Sequence, residues 1–388
     1  MKRWQNYIWV VLLIAACKKP FNLPAQLSDN SKFLVIEGVI SSSDSTFIRL
    51  SKTKKVDTLK TIIPETGAHV SVESDANGSY ALTELKTGTY AVGPLNLDAS
   101  RKYRLRVKTA DGKEYASDFV AVKNAPPIDT IGFTAKATGV QIYVNAHDDA
   151  NATRYYRWDY TEDWQFHTKY RSAYKTNGID SIKPRRLDQQ VYDCFGHDES
   201  NNVTIASTAK LSKDLVYQAP ITVVPANSEK IETKYCISVK QYALTADAYN
   251  FWENLQKNTE KLGSIFDVLP SETESNFHCI SNPAELVVGY LSVGNVAFKR
   301  VFITPSQLLA SYSPQYPCYC EIDTAFFSPG PTQKSALILV PDNSPYIPLI
   351  ALYPVPDVLG VPYAFTYSTI LCVDCTIRGT KRQPPFWK

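Results

Sequence analysis

From about residue 33 the chain alternates apolar and polar side chains at every second position, in short runs broken by turn formers. Successive side chains of an extended strand leave opposite faces, so such runs fit a sheet that buries one face. The alternation predicts strands at 33–40, 46–53, 68–74, 79–84, 88–93, 102–109 and 113–121. Turn signals separate them at Asp75-Ala76-Asn77-Gly78, Lys86-Thr87-Gly88 and Asp111-Gly112. Asp75, Asn77 and Gly78 also resemble the start of a calcium loop. The remaining ligands and the closing Glu are missing, so a hairpin turn is the expectation. Closely spaced strands without an intervening helix predict a β-sandwich of Ig-like or transthyretin-like kind over residues 33–125, ended by a stiff hinge at Asn124-Ala125-Pro126-Pro127.

Residues 128–388 are expected to form a larger β-rich α+β domain, making the chain mainly β. Strand-like runs recur at 129–134, 139–146, 153–161, 202–208, 233–243, 285–293, 296–303, 335–340 and 348–353, with a hairpin turn expected at Val293-Gly294-Asn295. One helix is expected near 245–262. Thr245 would cap it, Asp247 would favour its first turn, Gly263 would close it, and Tyr249, Trp252, Leu255 and Leu262 would form its apolar stripe. The stretches 174–200 and 304–334 read as long loops that either carry function or hide short elements.

A composition of 44% hydrophobic and 20% charged residues is that of a folded globular protein, not a disordered or coiled-coil one. Lys and Arg number 41 against 38 Asp and Glu, which argues against nucleic-acid binding, where a clustered basic excess is needed. With five His in the whole chain there is little material for a His-built metal or acid–base centre. No nucleophile elbow, zinc-protease helix, P-loop or dinucleotide fingerprint occurs. His147-Asp148-Asp149 has metal-ligand residue types but reads as a solvated turn, and Glu162 and Asp163 are not placed across a cleft by anything in the sequence. No catalytic residue, cofactor or metal is expected.

The N-terminus reads as an address. Lys2 and Arg3 precede an apolar run from Ile8 to Ala16. That run is too short to span a bilayer, which takes about 20 residues, but it has the make-up of a secretory signal over residues 1–16. Ile14-Ala15-Ala16-Cys17 resembles a bacterial lipobox, which implies lipidation of Cys17 and anchoring in a lipid bilayer through its acyl chains. Lys18 at the following position favours the outer membrane over the inner one, and leaves open which face the protein occupies. Residues 17–32 read as a tether. Removal of residues 1–16 takes away two basic residues and no acid, lowering the net charge from +3 to +1.

With Cys17 acylated, seven cysteines remain, an odd number. In an oxidising compartment disulfides are the default. Cys318 and Cys320 would share one face of a strand and therefore bond elsewhere than to each other. With Cys372 and Cys375 they are the disulfide candidates that would tie the C-terminal segment down, the alternative being one tetrahedral zinc held by all four.

The segment 155–174 is the recognition candidate. Tyr156, Trp158 and Tyr160 share one strand face, with Trp164 and Tyr170 following. Flat rings with polar tips suit a sugar or a peptide, while the plainer reading is packing within a sheet.

The lipobox, Leu34-Val35-Ile36-Glu37-Gly38, Gly67-Ala68-x-Val70, Tyr155-Tyr156-Arg157-Trp158, Tyr249-x-x-Trp252 and the tail from Cys372 to Gly379 ending in Pro385-Phe386-Trp387 resemble the Bacteroidota lipoproteins classed under domain of unknown function 4249. The resemblance implies an outer-membrane lipoprotein encoded near TonB-dependent receptors, binding a glycan or peptide ligand as an accessory to such a transporter. It implies no activity. The rival expectations are an envelope glycan or peptide hydrolase, and a structural or assembly accessory of the outer membrane.

Overall fold

The computed structural model describes residues 33–42, 44–53, 62–178, 181–260, 274–316, 318–341, 343–355 and 360–387, with the side chains of 259 and 260 excepted. The signal-like segment 1–16, the tether 17–32 and Cys17 lie outside them. The chain is mainly β, and its strands enclose separate cores.

The first body is a β-sandwich. Its hydrogen-bonded path runs through Glu114–Ser117, Lys102–Lys108, His69–Ser74, Ser79–Lys86, Thr89–Val92 and Thr46–Lys52 to Leu34–Ser41. The path folds over at Ser79–Lys86, which pairs with His69–Ser74 along one edge and with Thr89–Val92 along the other. The alternation seen in the sequence supplies the core, with Ile48 and Leu50, Val70 and Val72, and Leu105 and Val107 all pointing inward and buried. Each such side chain contributes about 1.5–3 kcal/mol on burial. At the Asp75–Gly78 turn Asn77 takes a positive φ of 65°, and the expected hairpin forms.

Residues 33–125 do not close this sandwich alone. Phe277–Cys279 pairs with Glu114–Ser117, and Val287–Val288 and Ser292–Gly294 pair in parallel with Leu34–Ser41. Phe277, Val287, Leu291 and Val293 enter the same core. The expected strand at 285–293 is thus two short ones, and Val293-Gly294-Asn295 makes no hairpin. After Gly294 the chain crosses to the second body, where Ala297–Ile303 pairs with Lys234–Ala243. The local reason is contact with the Asn124–Ala125 hinge. Gly294 lies so close to the Lys123 carbonyl that a side chain would have no room. The Asn295 side-chain oxygen accepts a hydrogen bond from Ala125 N at 2.5 Å, and Asn295 N donates to Asn124 Oδ1 at 3.2 Å.

The second body pairs a three-stranded sheet (Ile128–Lys136, Gly139–His147, Leu215–Pro225) with a five-stranded one built around Tyr155–His167. Lys234–Ala243 lines one edge of that long strand, while Asp193–Glu199 and Thr204–Ser207 share the other. The expected helix is present as Ala246–Glu260, where the Thr245 hydroxyl accepts from Ala248 N at 3.1 Å and Asp247 sits in the first turn. It covers the outer face of the long strand. Tyr249 packs on Tyr155 at 5.1 Å, and the Arg157 guanidinium is held between Trp252 at 4.2 Å and Tyr242 at 4.5 Å.

A four-stranded C-terminal sheet follows, ordered Lys334–Ser335, Asp323–Phe326, Ala364–Thr369, Tyr346–Leu352. The run 335–340, expected as a strand, is instead a turn of 3-10 helix, Ala336–Leu339, because the Ser335 hydroxyl caps it by accepting from Leu337 N while Ala336 and Leu339 turn into the core. The expected long loops hold the short strands Tyr174–Thr176, Ile182–Pro184, Asp193–Glu199 and Asp323–Phe326.

Candidate functional site

The aromatic residues expected to form a binding platform are core residues. Tyr156 and Trp158 are 0% exposed, Tyr160 9% and Trp164 8%. The face-sharing inferred from the sequence holds, but the shared face looks inward against the three-stranded sheet. Tyr156 and Trp158 stack at 5.7 Å. The Tyr156 hydroxyl donates to the buried Asp214 carboxylate, and Trp158 Nε1 donates to Gln241 Oε1 at 2.9 Å. Trp164 lies over Gly196, its cross-strand partner, where any side chain would collide with the ring. A ligand cannot reach rings packed in this way. Tyr170, beyond the strand, is half-buried and donates from its hydroxyl to the Cys320 carbonyl at 3.1 Å.

Glu162 and Asp163 leave the long strand on opposite faces, so they do not form a carboxylate pair. Glu162 accepts from Tyr235 Oη at 2.7 Å and from Lys230 Nζ at 2.6 Å. Asp163 is 2.8 Å from His197 Nδ1 and lies opposite Cys236. The hydrogen bond that the Asp163 carboxylate accepts from Nδ1 holds the His197 imidazole above its usual range. Burial pushes the Cys236 thiol up to about 11. At neutral pH Cys236 is therefore a protonated core thiol, and with the acid between thiol and imidazole this row is no nucleophile–base pair. The C-terminal tail covers it. Trp387 packs edge-on against Phe195 and Phe302 at 5.3 and 5.4 Å, and Phe386 lies 3.6 Å from the Arg300 guanidinium carbon. His147-Asp148-Asp149 is the solvated turn expected, with Asp148 accepting from the backbone of Ala150, Ala152 and Thr153.

A cleft with an internal volume of about 10 Å³ lies where the two bodies meet, between Val120, Lys123, Ala243, Thr245 and Tyr290. Pockets that enclose small molecules are larger, about 300–1,000 Å³.

Among the described residues the cysteines form two disulfides. Cys194–Cys375 joins strand to tail across 181 residues of sequence, and Cys320–Cys372 joins the loop after residue 317 to the short helix Ile370–Val373. Cys320, Cys372 and Cys375 are bonded as expected. Cys194, buried in a stretch that reads as loop, was not among the candidates. Cys318 is not bonded, and because Cys375 belongs to Cys194, the four-sulfur zinc arrangement does not form. Cys318 Sγ sits 3.1 Å from Cys372 Sγ and 3.4 Å from Cys320 Sγ. Cys236 and Cys279 are buried and free.

The C-terminal sheet that this cluster anchors is also where apolar side chains meet solvent. Tyr363 N donates to the Leu352 carbonyl and Phe327 N to the Tyr363 carbonyl, which sets Phe327, Tyr363 and Tyr353 side by side at one end of the sheet, all exposed. Ile350, Val355 and Val361 are exposed on the same sheet and its connection, and Leu337 on the turn packed against it. Nothing in the sequence distinguishes these residues from core ones, because an apolar run in a strand does not state which face is covered.

These features define a mainly β protein of stacked sheets, its C-terminal part closed by disulfides. Residues 18–300 match the model of a family described as a domain of unknown function, DUF4249, and the chain belongs to that family. The matched span ends before the tail residues 372–387 on which the resemblance partly rested. Among solved structures the chain is similar to a two-domain fibronectin type-III segment from chicken tenascin, at 10% identity, with 55% of this chain and 93% of that one covered and a TM-score of 0.17. At that score the pair superposes too poorly to support an argument. No curated protein matches the chain.

Proposed function

We propose that this protein is a Bacteroidota lipoprotein, anchored in the outer membrane through acylated Cys17, that binds a glycan or peptide ligand as an accessory to a TonB-dependent transporter. The support from the sequence is the ordered signal, Lys2 and Arg3, an apolar run and Ile14-Ala15-Ala16-Cys17. The observation that carries the rest is the exposed apolar and aromatic end of the C-terminal sheet around Phe327, Tyr353 and Tyr363. Exposed apolar surface beyond scattered single residues marks interaction sites, and Tyr side chains are favoured contributors to them. The two disulfides fit a compartment outside the cytosol. In this reading the working surface is the C-terminal sheet, and the buried rings of Tyr156, Trp158, Tyr160 and Trp164 are core.

The test is purification of the full-length protein from native membranes, with intact mass of its N-terminus and identification of co-purifying proteins. A mature chain beginning at Cys17 with fatty acyl groups, accompanied by an outer-membrane transporter, is the expected result. Retention of residues 1–16, or an unacylated start, overturns the anchor; recovery without a transporter overturns the accessory role. Replacing Phe327 and Tyr363 by Ser, both exposed, is expected to release the transporter while leaving the acylation intact.

A further inference from the structure

Three sulfurs meet at the edge of the C-terminal sheet where two would suffice. Cys320 and Cys372 are bonded, and the Cys318 thiol touches both. All three Sγ atoms lie within 4.8 Å of one another. Cys318 is half-buried and sits next to Tyr319, which is 83% exposed, whereas Cys372 is buried on the helix Ile370–Val373. The fixed sulfur thus belongs to the helix, and the two candidates for it ride on one exposed loop.

We propose that Cys318, Cys320 and Cys372 form a thiol–disulfide exchange site in which Cys372 bonds to either loop cysteine. The Cys318 thiol gives up its proton to solvent, and its thiolate sulfur attacks Cys372 Sγ. The Cys318–Cys372 bond forms, the Cys320–Cys372 bond breaks, and Cys320 leaves as a thiolate that takes up a proton. One disulfide and one thiol stand on each side of the reaction, so no external oxidant or reductant is required. Exchange proceeds by thiolate attack along the axis of the breaking bond through a side-chain rotation, and its rate follows the thiolate fraction.

The exchange shifts the loop's attachment by two residues. In the structure described, Tyr170 holds the Cys320 carbonyl at 3.1 Å, Ser368 Oγ donates to the Glu321 carbonyl at 2.5 Å, and Tyr319 Oη donates to Glu321 Oε1 at 2.7 Å. Bonding through Cys318 draws the helix against the other side of Tyr319 and loosens these contacts, so the exposed Tyr319 ring is presented in two ways. The free thiol also changes place, from Cys318 to Cys320.

The experiment uses the purified full chain without reductant. Free thiols are alkylated at about pH 5, where exchange is frozen, either at once or after incubation at about pH 8.5, where a substantial part of an ordinary thiol is ionised. Chymotryptic cleavage after Tyr319 then separates the two loop cysteines for mass mapping. The expected result is label on Cys318 at once and on both Cys318 and Cys320 after incubation. Cys320→Ala is expected to keep one disulfide in this region, now Cys318–Cys372, with Cys194–Cys375 intact as the sign of a folded chain. Label confined to Cys318 after incubation overturns the proposal. So does a folded Cys320→Ala protein in which Cys318 and Cys372 both alkylate. Buried Cys236 and Cys279 should stay unlabelled throughout, which separates exchange from unfolding.

Discussion

The two large bodies are both paired sheets, yet their cores are filled differently. The first is filled mainly by aliphatic side chains such as Ile36, Ile48, Leu50 and Leu105, with Tyr90, Tyr103, Tyr115 and Phe277 among them, and charges pair outside it as Arg104 with Glu73 and Arg106 with Glu114. The second packs a comparable aliphatic set, Val140, Ile142, Val144 and Ile237 among it, against more and larger rings, Tyr156, Trp158, Tyr160, Trp164, Phe166 and Tyr235, with Glu162 and Asp214 buried beside them. Aliphatic packing asks for volume and pattern, and similar side chains exchange at modest cost. A large hydrogen-bonded ring such as Trp158, whose Nε1 donates to Gln241, leaves both a cavity and an unsatisfied partner in the interior when it is removed. The second core is therefore the more specific and the less forgiving of the two.

Trp158→Ala provides the sharpest attempt to break that contrast. It creates a cavity and orphans Gln241 Oε1, and should cost about 3–5 kcal/mol or more, whereas Ile48→Val in the first core should cost about 0.5–1.5. Urea unfolding followed by circular dichroism reads the loss in both bodies, and Trp fluorescence reads the second by itself, because the four described tryptophans, 158, 164, 252 and 387, all belong to it. Equal losses for the two variants would erase the distinction. Replacing Cys194 and Cys375 together by Ala should lower stability by about 2–5 kcal/mol, read by the same fluorescence and accompanied by release of Trp387. A silent double variant would mean that Phe386 and Trp387 hold the tail unaided.

The smallest effect expected is a pH dependence. Asp163 raises the folded-state pKa of His197 above the ordinary value, so the interaction stabilises the fold below about pH 6.5, the unfolded value, and is lost as the pH rises through the raised one. The His197 side chain is half exposed, which screens the pair and keeps the effect small. Comparing urea midpoints across this window, His197→Gln should flatten the decline. An unchanged slope would assign it to other groups.

How far the fold could be read in advance follows the same contrast. In the first body, one apolar face per strand gives a clean period of two, and the strands at 46–52, 69–74 and 102–108 lie almost where the alternation puts them. The pairing of Leu34–Ser41 with residues 287–294 was not legible, because the two segments are far apart in sequence and their parallel contact leaves no local mark. Asp193–Glu199 was hidden because only Cys194 and Gly196 turn toward the ring core, under Phe166 and Trp164, while its other residues are polar apart from Phe195, which packs under the tail. The aromatic strand shows the limit for sites. Alternation correctly put Tyr156, Trp158 and Tyr160 on one face, but whether a face meets water or another sheet depends on Leu215–Pro225 and its neighbours, distant in sequence. Cys320, Cys372 and Cys375 were legible as bonding cysteines from composition and compartment, whereas the partnership of Cys375 with Cys194 is a fact of three-dimensional proximity alone.

The return of residues 277–294 to the first sandwich sets a timetable. A ribosome delivers the strands up to Val120–Ala121 first, then the whole of the second body's long strand and helix, and only afterwards Val287–Val288 and Ser292–Gly294. Until those arrive, Leu34–Ser41 carries an open backbone edge next to a half-covered core, the kind of surface on which nascent chains stick to one another. A holding chaperone, or delivery of the unfolded chain, has to protect it for more than 150 residues of synthesis between Ala121 and Phe277.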